Sequence, residues 1–185
     1  MLHYDKVTLQ DLPQMAELFR KYLNDGARVE EYLEAGFHMP GYIGMTCKDG
    51  DKLVGVITAR PGVEFTIPKP EINKMIDERY PNKKIYTGEM VAVEPEYRGL
   101  GISKNLHIQW ADEMRAAGGE YVLLELWLKH DGDVPAGGTV KYVGTMEECW
   151  TFPDFYKGLE AYGMTCADCA PNPCTCGAVV IVVRL

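Results

Sequence analysis

The stretch that decides the fold is MVAVEPEYRGLGIS, residues 90–103. Its first residues predict the end of a β-strand, and Pro95 stops that strand because proline lacks the N–H that a sheet requires. Gly99 and Gly101 then form a turn that opens a predicted helix over residues 102–117. The N–H groups of such a turn converge on one point, where the helix dipole adds partial positive charge. The stretch therefore predicts a phosphate site, with Arg98 and Lys104 as cations on its rim.

Three phosphate-binding motifs compete for this turn. A Walker A loop requires G-x-x-x-x-G-K-[ST], which the sequence lacks, and a dinucleotide fingerprint requires a small residue where Lys104 stands. The turn instead resembles motif A of the GNAT (Gcn5-related) N-acetyltransferases, [QR]-x-x-G-x-[GA]. Arg98 fills its first position, Gly101 its fourth, and Ser103 departs slightly at the sixth. The plainest alternative is an ordinary Gly-rich turn, but the strand, proline and helix around the motif favour the family.

The resemblance implies an α/β fold, with a GNAT-like mixed central sheet flanked by helices. Acetyl-CoA would lie where the strand over residues 85–93 splays from the strand over 121–128. Backbone groups of Val91 and Val93 would pair with the thioester carbonyl and the pantetheine arm, and turn N–H groups would take the pyrophosphate. The residues expected to bind the cofactor are Val91, Ala92, Val93, Arg98, Gly99, Leu100, Gly101, Ile102, Ser103 and Lys104.

Hydrophobic periodicity predicts the remaining elements. A first strand closes near residue 7, and helices follow over residues 12–23, ended by Gly26, and over 29–35. A hairpin over 42–60, a short helix over 72–79, a helix over 153–162 and a last strand over 179–185 complete the prediction. Residues 130–148, rich in Gly and Asp, are expected to form a long loop or a loose hairpin. We expect residues 1–185 to form one domain, with residues 166–176 as a Cys-rich insertion.

Two acidic residues are candidates for the base that removes the amine proton. Glu89 is the first, because strand alternation predicts that it shares a side with Val91 and Val93. Glu125, alone in an apolar strand, is the second. The plain alternative is an edge carboxylate facing solvent for Glu89, and a carboxylate hydrogen-bonded at the polar side of its strand for Glu125. The resemblance further implies that a backbone N–H near Val91 stabilises the oxyanion.

A tyrosine is the candidate proton donor for the leaving thiolate. The family commonly carries this residue in an F-Y-x-x-x-G-F segment, and Phe155-Tyr156 matches its start. The next matching glycine, Gly163, comes three residues late, so the family position falls on Leu159. Tyr156 would lie one turn earlier on the same helical face. A core tyrosine is the alternative.

Four of the six cysteines lie within eleven residues, in the order Cys166, Cys169, Cys174 and Cys176. Four thiolates this close can form a tetrahedral site for a soft metal, with Zn²⁺ favoured over an iron–sulfur cluster. We expect such a metal to be structural, because four sulfurs leave no open coordination position. Reduced thiols or a redox-responsive disulfide remain the alternatives.

Composition excludes several classes of protein. With 46% hydrophobic and 25% charged residues the chain is expected to fold, and its net charge of −8 repels nucleic acid. Residues 1–22 have no basic region followed by an apolar stretch, and no apolar run is long enough for a bilayer. We therefore expect a cytoplasmic protein with neither a nucleic-acid nor a membrane partner; the sequence leaves a homodimer open.

The leading hypothesis is an N-acetyltransferase that moves an acetyl group from acetyl-CoA to a primary amine. The acceptor could be a small amine, an amino acid or a protein amine, and the acidic charge favours a cationic one. The alternative is a non-catalytic CoA-binding sensor that uses the cysteines to detect metal or redox state.

Overall fold

The computed structural model describes residues 1–23, 28–134, 137–166 and 168–185. The described residues form seven strands: β1 (Leu2–Lys6), β2 (Ile43–Asp49), β3 (Lys52–Pro61), β4 (Ile85–Val93), β5 (Tyr121–Leu128), β6 (Thr145–Phe152) and β7 (Gly177–Arg184). They also form four α-helices: α1 (Leu12–Tyr22), α2 (Val29–Phe37), α3 (Pro70–Arg79) and α4 (Ile102–Ala116). Gly26, predicted to end the first helix, lies outside the described residues. None of the described helices is long and apolar enough to cross a bilayer.

The strands form one sheet in the order β1-β2-β3-β4-β5-β7-β6. All neighbouring strands are antiparallel except β4 and β5, which are parallel. A parallel pair requires a long crossover connection, and α4 lies within that connection. The predicted mixed sheet flanked by helices is therefore confirmed.

The helices cover the sheet on both faces. On one face α4 packs through Leu106, Trp110 and Met114 against residues of β2 to β5 and β7. On the other face α1 and α2 cover β3 and β4, while a second cluster around Phe155 and the cysteines covers β5 and β7. These two clusters are separate, which leaves room between them above the β4–β5 pair.

Two predicted elements differ from the structure. Part of the loop predicted over residues 130–148 belongs to strand β6, an edge strand with one exposed face whose register shifts between Met146 and Glu148. The α-helix predicted over residues 153–162 is instead a run of turns followed by a short 3-10 helix, Leu159–Tyr162. Asp154 and Gly158 have φ angles of 50° and 87°, which a right-handed helix does not accommodate.

Candidate active site

The predicted phosphate turn connects β4 to α4. A 3-10 turn, Pro95–Tyr97, follows the strand, and Gly99 and Gly101 then adopt φ angles of 80° and 78°. This left-handed backbone favours glycine, because a side chain there collides with the following carbonyl. Gly101 is the residue that caps the N-terminus of α4.

The N–H groups of the turn are available to a ligand. The first helical hydrogen bond of α4 runs from the Asn105 N–H to the Gly101 carbonyl, at 3.0 Å. Within the described parts of the chain, the N–H groups of residues 99–104 have no acceptor. The turn is exposed, and a Cβ atom added at Gly99 or Gly101 would meet nothing within 4 Å. An anion therefore has free access to these donors.

Two cations flank the turn. Arg98 is exposed, its Nε donates to the Val93 carbonyl at 3.3 Å, and its guanidinium lies 5.8 Å from the Tyr22 ring centre. Lys104 is exposed and lies over the ring of Tyr142. Both charges stand at the rim, where they add positive potential without blocking the N–H groups.

Strands β4 and β5 separate just before this turn. Their parallel pairing runs from Ile85 opposite Tyr121 to Gly88 opposite Leu124 and ends there. Beyond these residues β4 pairs only with β3, and β5 only with β7, in the described structure. Val91 therefore lies beside an opening between two strands whose inner edges are unpaired, and backbone groups at such an edge can pair with an extended ligand.

One histidine, His107, is buried at this opening. The His107 Nδ1–H donates to the Ser103 carbonyl at 2.7 Å, and Nε2 lies 3.0 Å from the Thr139 hydroxyl. Burial lowers the pKa of His107, so the ring is neutral at physiological pH. Its hydrogen bonds hold residues 137–142 against α4.

A larger cavity of about 480 Å³ opens on the other face of the sheet, between α1, α2 and the Cys-containing segment. All three predicted catalytic residues, Glu89, Glu125 and Tyr156, line it. Four residues line both this cavity and the smaller opening between β4 and β5: Glu89, Val91, Glu125 and Leu126. The two carboxylates therefore lie at the junction of the two spaces.

Glu89 faces a different side of the sheet from the one that strand alternation predicts. Met90 pairs with Thr58 and Gly88 with Ala59, so β4 carries an extra residue at Glu89. This bulge turns the Glu89 side chain toward α2, away from the α4 face that Val91 contacts. The prediction that these two side chains share a face is wrong for that reason.

The Glu89 carboxylate is held by two groups that the sequence did not single out. The Tyr32 hydroxyl donates to Glu89 Oε1 at 2.7 Å, and Arg60 forms an ion pair with the same oxygen. Burial raises the pKa of Glu89, and Arg60 and Tyr32 only partly oppose this effect. Arg60 could have been singled out from the sequence, because it is a charged residue that directly follows the apolar middle of strand β3.

Glu125 has one oxygen without a partner. Its Oε2 accepts a hydrogen bond of 2.9 Å from the Thr66 N–H, while the buried Oε1 has no donor among the described residues. Burial raises the pKa of Glu125, and the neighbouring Tyr156 hydroxyl and Thr66 only partly lower it. A buried oxygen with an unfilled hydrogen-bonding capacity is suited to bind an ammonium or hydroxyl donor from a ligand.

Tyr156 lies in the cavity wall although the predicted helix around it is absent. Its ring stacks on Trp127, with centres 3.8 Å apart and planes at 9°. Burial and the charge of Glu125 raise the pKa of Tyr156 well above its usual value, so the phenol keeps its proton at neutral pH. Leu159, at the family's spacing, is a buried core residue and offers no proton.

The cavity is acidic and aromatic. Among the described residues that line it, four glutamates face two arginines: Glu31, Glu64, Glu89 and Glu125 against Arg28 and Arg60. Six aromatic residues complete much of the wall: Phe19, Tyr32, Phe65, Trp127, Tyr156 and Tyr162. Such a lining favours a cationic ligand, because both carboxylates and aromatic faces attract positive charge.

The four clustered cysteines converge in space. All are buried, and their sulfur atoms lie within 4.8 Å of one another. The closest Sγ–Sγ distances are 3.5 Å for Cys169–Cys176 and 3.9 Å for Cys166–Cys176 and Cys169–Cys174. All four are free thiols. His130 adds a ring nitrogen 3.2 Å from the Cys169 sulfur.

These features agree with the comparison with known families. Residues 12–138 match the model of the acetyltransferase (GNAT) family, and the chain belongs to that family. It is therefore an acetyl-CoA-dependent N-acyltransferase. No curated protein matches the chain in sequence.

Solved acetyltransferases share the fold. Arabidopsis thaliana NAA60 in complex with acetyl-CoA has a TM-score of 0.70 and 14% identity, with 100% of each chain covered. The ribosomal-protein-S18-alanine N-acetyltransferase from Escherichia coli has a TM-score of 0.62 and 14% identity, covering 100% of this chain and 94% of that one. Aminoglycoside 6'-acetyltransferase type Ii has a TM-score of 0.61 and 17% identity, with 98% and 96% covered. At these identities the likeness shows the fold alone.

Proposed function

We propose that the protein acetylates a primary amine attached to a cationic or aromatic body, and that the reaction takes place where the two spaces meet. The supporting observation is that Glu89 and Glu125 line both the opening between β4 and β5 and the acidic cavity. In this proposal the thioester arrives through the strand opening and the amine through the cavity. The cofactor diphosphate is held by the N–H groups of residues 99–104, with Arg98 and Lys104 beside it.

Glu125 takes the amine proton in this mechanism. Its free Oε1 can accept a hydrogen bond from the substrate nitrogen, whereas the charge of Glu89 is balanced by Arg60. The amine enters uncharged and attacks the thioester carbon. Glu125 takes one proton from the nitrogen as the N–C bond forms, and a backbone N–H near Val91 stabilises the oxyanion. Glu89 is the alternative base, and its raised pKa suits that role as well.

Tyr156 protonates the departing thiolate when the carbon–sulfur bond breaks. The hydroxyl is close enough to Glu125 to affect the pKa of that residue, so the proton that Glu125 received can return to the tyrosine. The amine loses one proton, CoA gains one, and both side chains regain their starting state. This balance requires no other reactant.

Zn²⁺ is the proposed occupant of the four-cysteine cluster. A tetrahedron of four Zn–S bonds of about 2.3 Å has S–S edges of about 3.8 Å. Three of the six S–S edges measure 3.5 to 3.9 Å, in agreement with this value, and all six lie within 4.8 Å; the measured distances exceed a disulfide bond of about 2.05 Å by far. Four sulfurs fill the coordination sphere, so the metal would be structural and not a Lewis acid for the reaction.

A screen of amines that measures the release of free CoA tests the proposed function. Polyamines and aromatic amines should react faster than anionic amino acids, and Glu125→Gln should abolish most of the turnover. CoA binding without turnover on any amine would contradict the proposal. It would favour instead the CoA-binding sensor, for which the preassembled thiols provide the supporting observation.

A further inference from the structure

The cysteine cluster lies directly behind the wall that carries Tyr156. The Tyr156 N–H donates a hydrogen bond of 3.1 Å to the carbonyl of Cys176. Tyr162, Gly163 and Met164 line the cavity and precede Cys166 almost directly in the chain. Tyr156, the proposed acid, and the adjoining cavity wall are therefore both connected to the segment that contains the four cysteines.

The cysteine cluster also reaches Tyr156 indirectly through Trp127, whose ring stacks on Tyr156. The indole Nε1 is buried and has no acceptor among the described residues, and it neighbours the sulfur of Cys176. A metal-bound thiolate would supply an acceptor for this orphaned donor. His130 Nε2 lies 3.2 Å from the Cys169 sulfur and 3.7 Å from Cys176, as expected of an outer-shell donor to thiolates.

Little regular structure supports this wall otherwise. Residues 153–164 are turns and one short 3-10 helix, with left-handed residues at Asp154, Gly158 and Gly163. Several of their backbone hydrogen bonds are local, such as Leu159 N–H to the Tyr156 carbonyl at 3.0 Å. The segment is held mainly by the burial of Phe155, Tyr156 and Leu159, and a four-coordinate metal would add a crosslink that restricts its conformation further.

We propose that metal bound by Cys166, Cys169, Cys174 and Cys176 positions Tyr156 against Glu125, so that metal loading sets the rate of acetyl transfer without affecting cofactor binding. The inference rests on the proposed function for its kinetic consequence. The cysteines are positioning residues and do not touch the reacting atoms. The phosphate turn is built on β4 and α4 and makes no contact with the cluster among the described residues, so CoA affinity should not depend on the metal.

The test compares metal-free, Zn²⁺-loaded and Co²⁺-loaded full-length protein, purified under reducing conditions. The loaded forms should hold one metal per chain, and Co²⁺ should show the absorption of a tetrahedral thiolate site. Metal removal should lower kcat at least about tenfold and raise the KM of the amine, since displacing an acid by about 1 Å is enough to cause such a loss. The Kd of CoA should stay within about twofold, and reloading should restore turnover.

Hydrogen exchange provides a readout that does not require activity. Peptides covering residues 153–164 should exchange faster without metal, while peptides covering residues 99–106 should not change. Cys174→Ser should reproduce the metal-free state, and the matched control Cys149→Ser, an exposed cysteine outside the cluster, should behave as wild type. If Cys174→Ser does not fold, the metal titration of wild-type protein decides the question.

Two results would overturn the inference: no binding of Zn²⁺ or Co²⁺ by reduced protein, or metal removal that leaves both exchange and amine kinetics unchanged. Failure of the proposed function looks different. Loaded protein would then bind CoA and show metal-dependent exchange at residues 153–164, yet turn over no amine. In that event the positioning of Tyr156 by metal would stand while its kinetic consequence would not.

Discussion

The hydroxyl of Tyr32 donates a hydrogen bond of 2.7 Å to Oε1 of Glu89, and this bond joins helix α2 to strand β4 across the floor of the acidic cavity. Arg60 forms an ion pair with the same oxygen, and the Arg60 and Glu89 side chains are only 13% and 7% exposed. The Arg60–Glu89 pair thus has a structural role as well as a place at the proposed reaction site. The two roles can be separated by substitution.

Glu89→Gln should destabilise the protein, because it leaves the Arg60 charge without this partner. Breaking a buried ion pair costs about 3–5 kcal/mol, but the loss here should be smaller, since Gln avoids the burial cost that raises the pKa of the Glu89 carboxyl. Tyr32→Phe removes one hydrogen bond and no charge, so its cost should be about 1 kcal/mol. Urea unfolding of both variants measures the difference. Equal losses would mean that the Arg60 charge finds another partner.

The same Glu89→Gln variant tests which carboxylate is the base. If Glu125 takes the proton, kcat/KM of folded Glu89→Gln still rises with pH through the same pKa as in wild type. An altered pH profile in this variant, together with a normal one in Glu125→Gln, would assign the base to Glu89 instead.

Glu125→Gln should lower kcat by about 10²–10⁴, the usual contribution of a general base, with no change in CoA affinity. Glu64→Gln is the matched control, because Glu64 lines the same cavity but its side chain is 58% exposed. Turnover is measured as free CoA released from saturating acetyl-CoA. Wild-type turnover in Glu125→Gln would rule Glu125 out as the base.

Although Glu125→Gln should lower activity, it should raise the stability of the protein at high pH. The folded protein raises the pKa of this carboxyl above the usual value of about 4.3. The folded state therefore binds the proton more tightly than the unfolded state. The stabilisation that the protonated Glu125 carboxyl contributes is fully present at pH values below its pKa in the unfolded state. It is lost as the pH rises through its pKa in the folded state. Glu125→Gln should consequently be more stable than wild type at pH 8 and nearly equal to it at pH 4, as thermal unfolding at the two pH values would show.

Tyr156→Phe should keep the stack on Trp127 and lose the proton donor. We expect kcat to fall about 10²-fold, while the KM of the amine changes little because the ring remains in the wall. Leu159→Ala serves as a contrast, since this core residue should cost about 2–5 kcal/mol of stability without changing the pH profile. A normal kcat in Tyr156→Phe would mean that the thiolate leaves without help from this residue.

Gly101→Ala should weaken CoA binding through the turn itself. Gly50, at the β2–β3 turn, offers a matched control, because its φ of 62° is also positive and an added Cβ atom would also meet nothing. Both variants should lose about 1–2 kcal/mol of stability from the strained backbone. Only Gly101→Ala should raise the Kd of CoA, and isothermal titration calorimetry distinguishes the two. A similar loss of CoA affinity in Gly50→Ala would point to general destabilisation.

The parts of the molecule that depend on local pattern were predictable from the sequence. Residues 90–103 contain the residues that determine their own local structure: a proline that stops the strand and two glycines at left-handed positions. The cysteine spacing likewise placed four thiols within reach of one another. Strand position then led to Glu89 and Glu125, and the family's Phe-Tyr segment led to Tyr156. The structure brings all three to one cavity.

What the sequence could not provide were features that depend on pairing between distant segments. The bulge at Glu89 arises from its register with β3, so alternation along β4 alone predicted the wrong face. Strand β6 gains its partner only when β7 is in place, and its polar edge looked like a loop. Tyr32 and Arg60 lie far from motif A in the chain and reach Glu89 only through tertiary contacts.

The most direct test is a crystal structure of the protein with coenzyme A. We expect the diphosphate oxygens to lie within hydrogen-bond distance of the N–H groups of residues 99–104, with the pantetheine arm between β4 and β5 beside Val91. A cofactor bound elsewhere, or a turn left empty at saturating coenzyme A, would contradict the account.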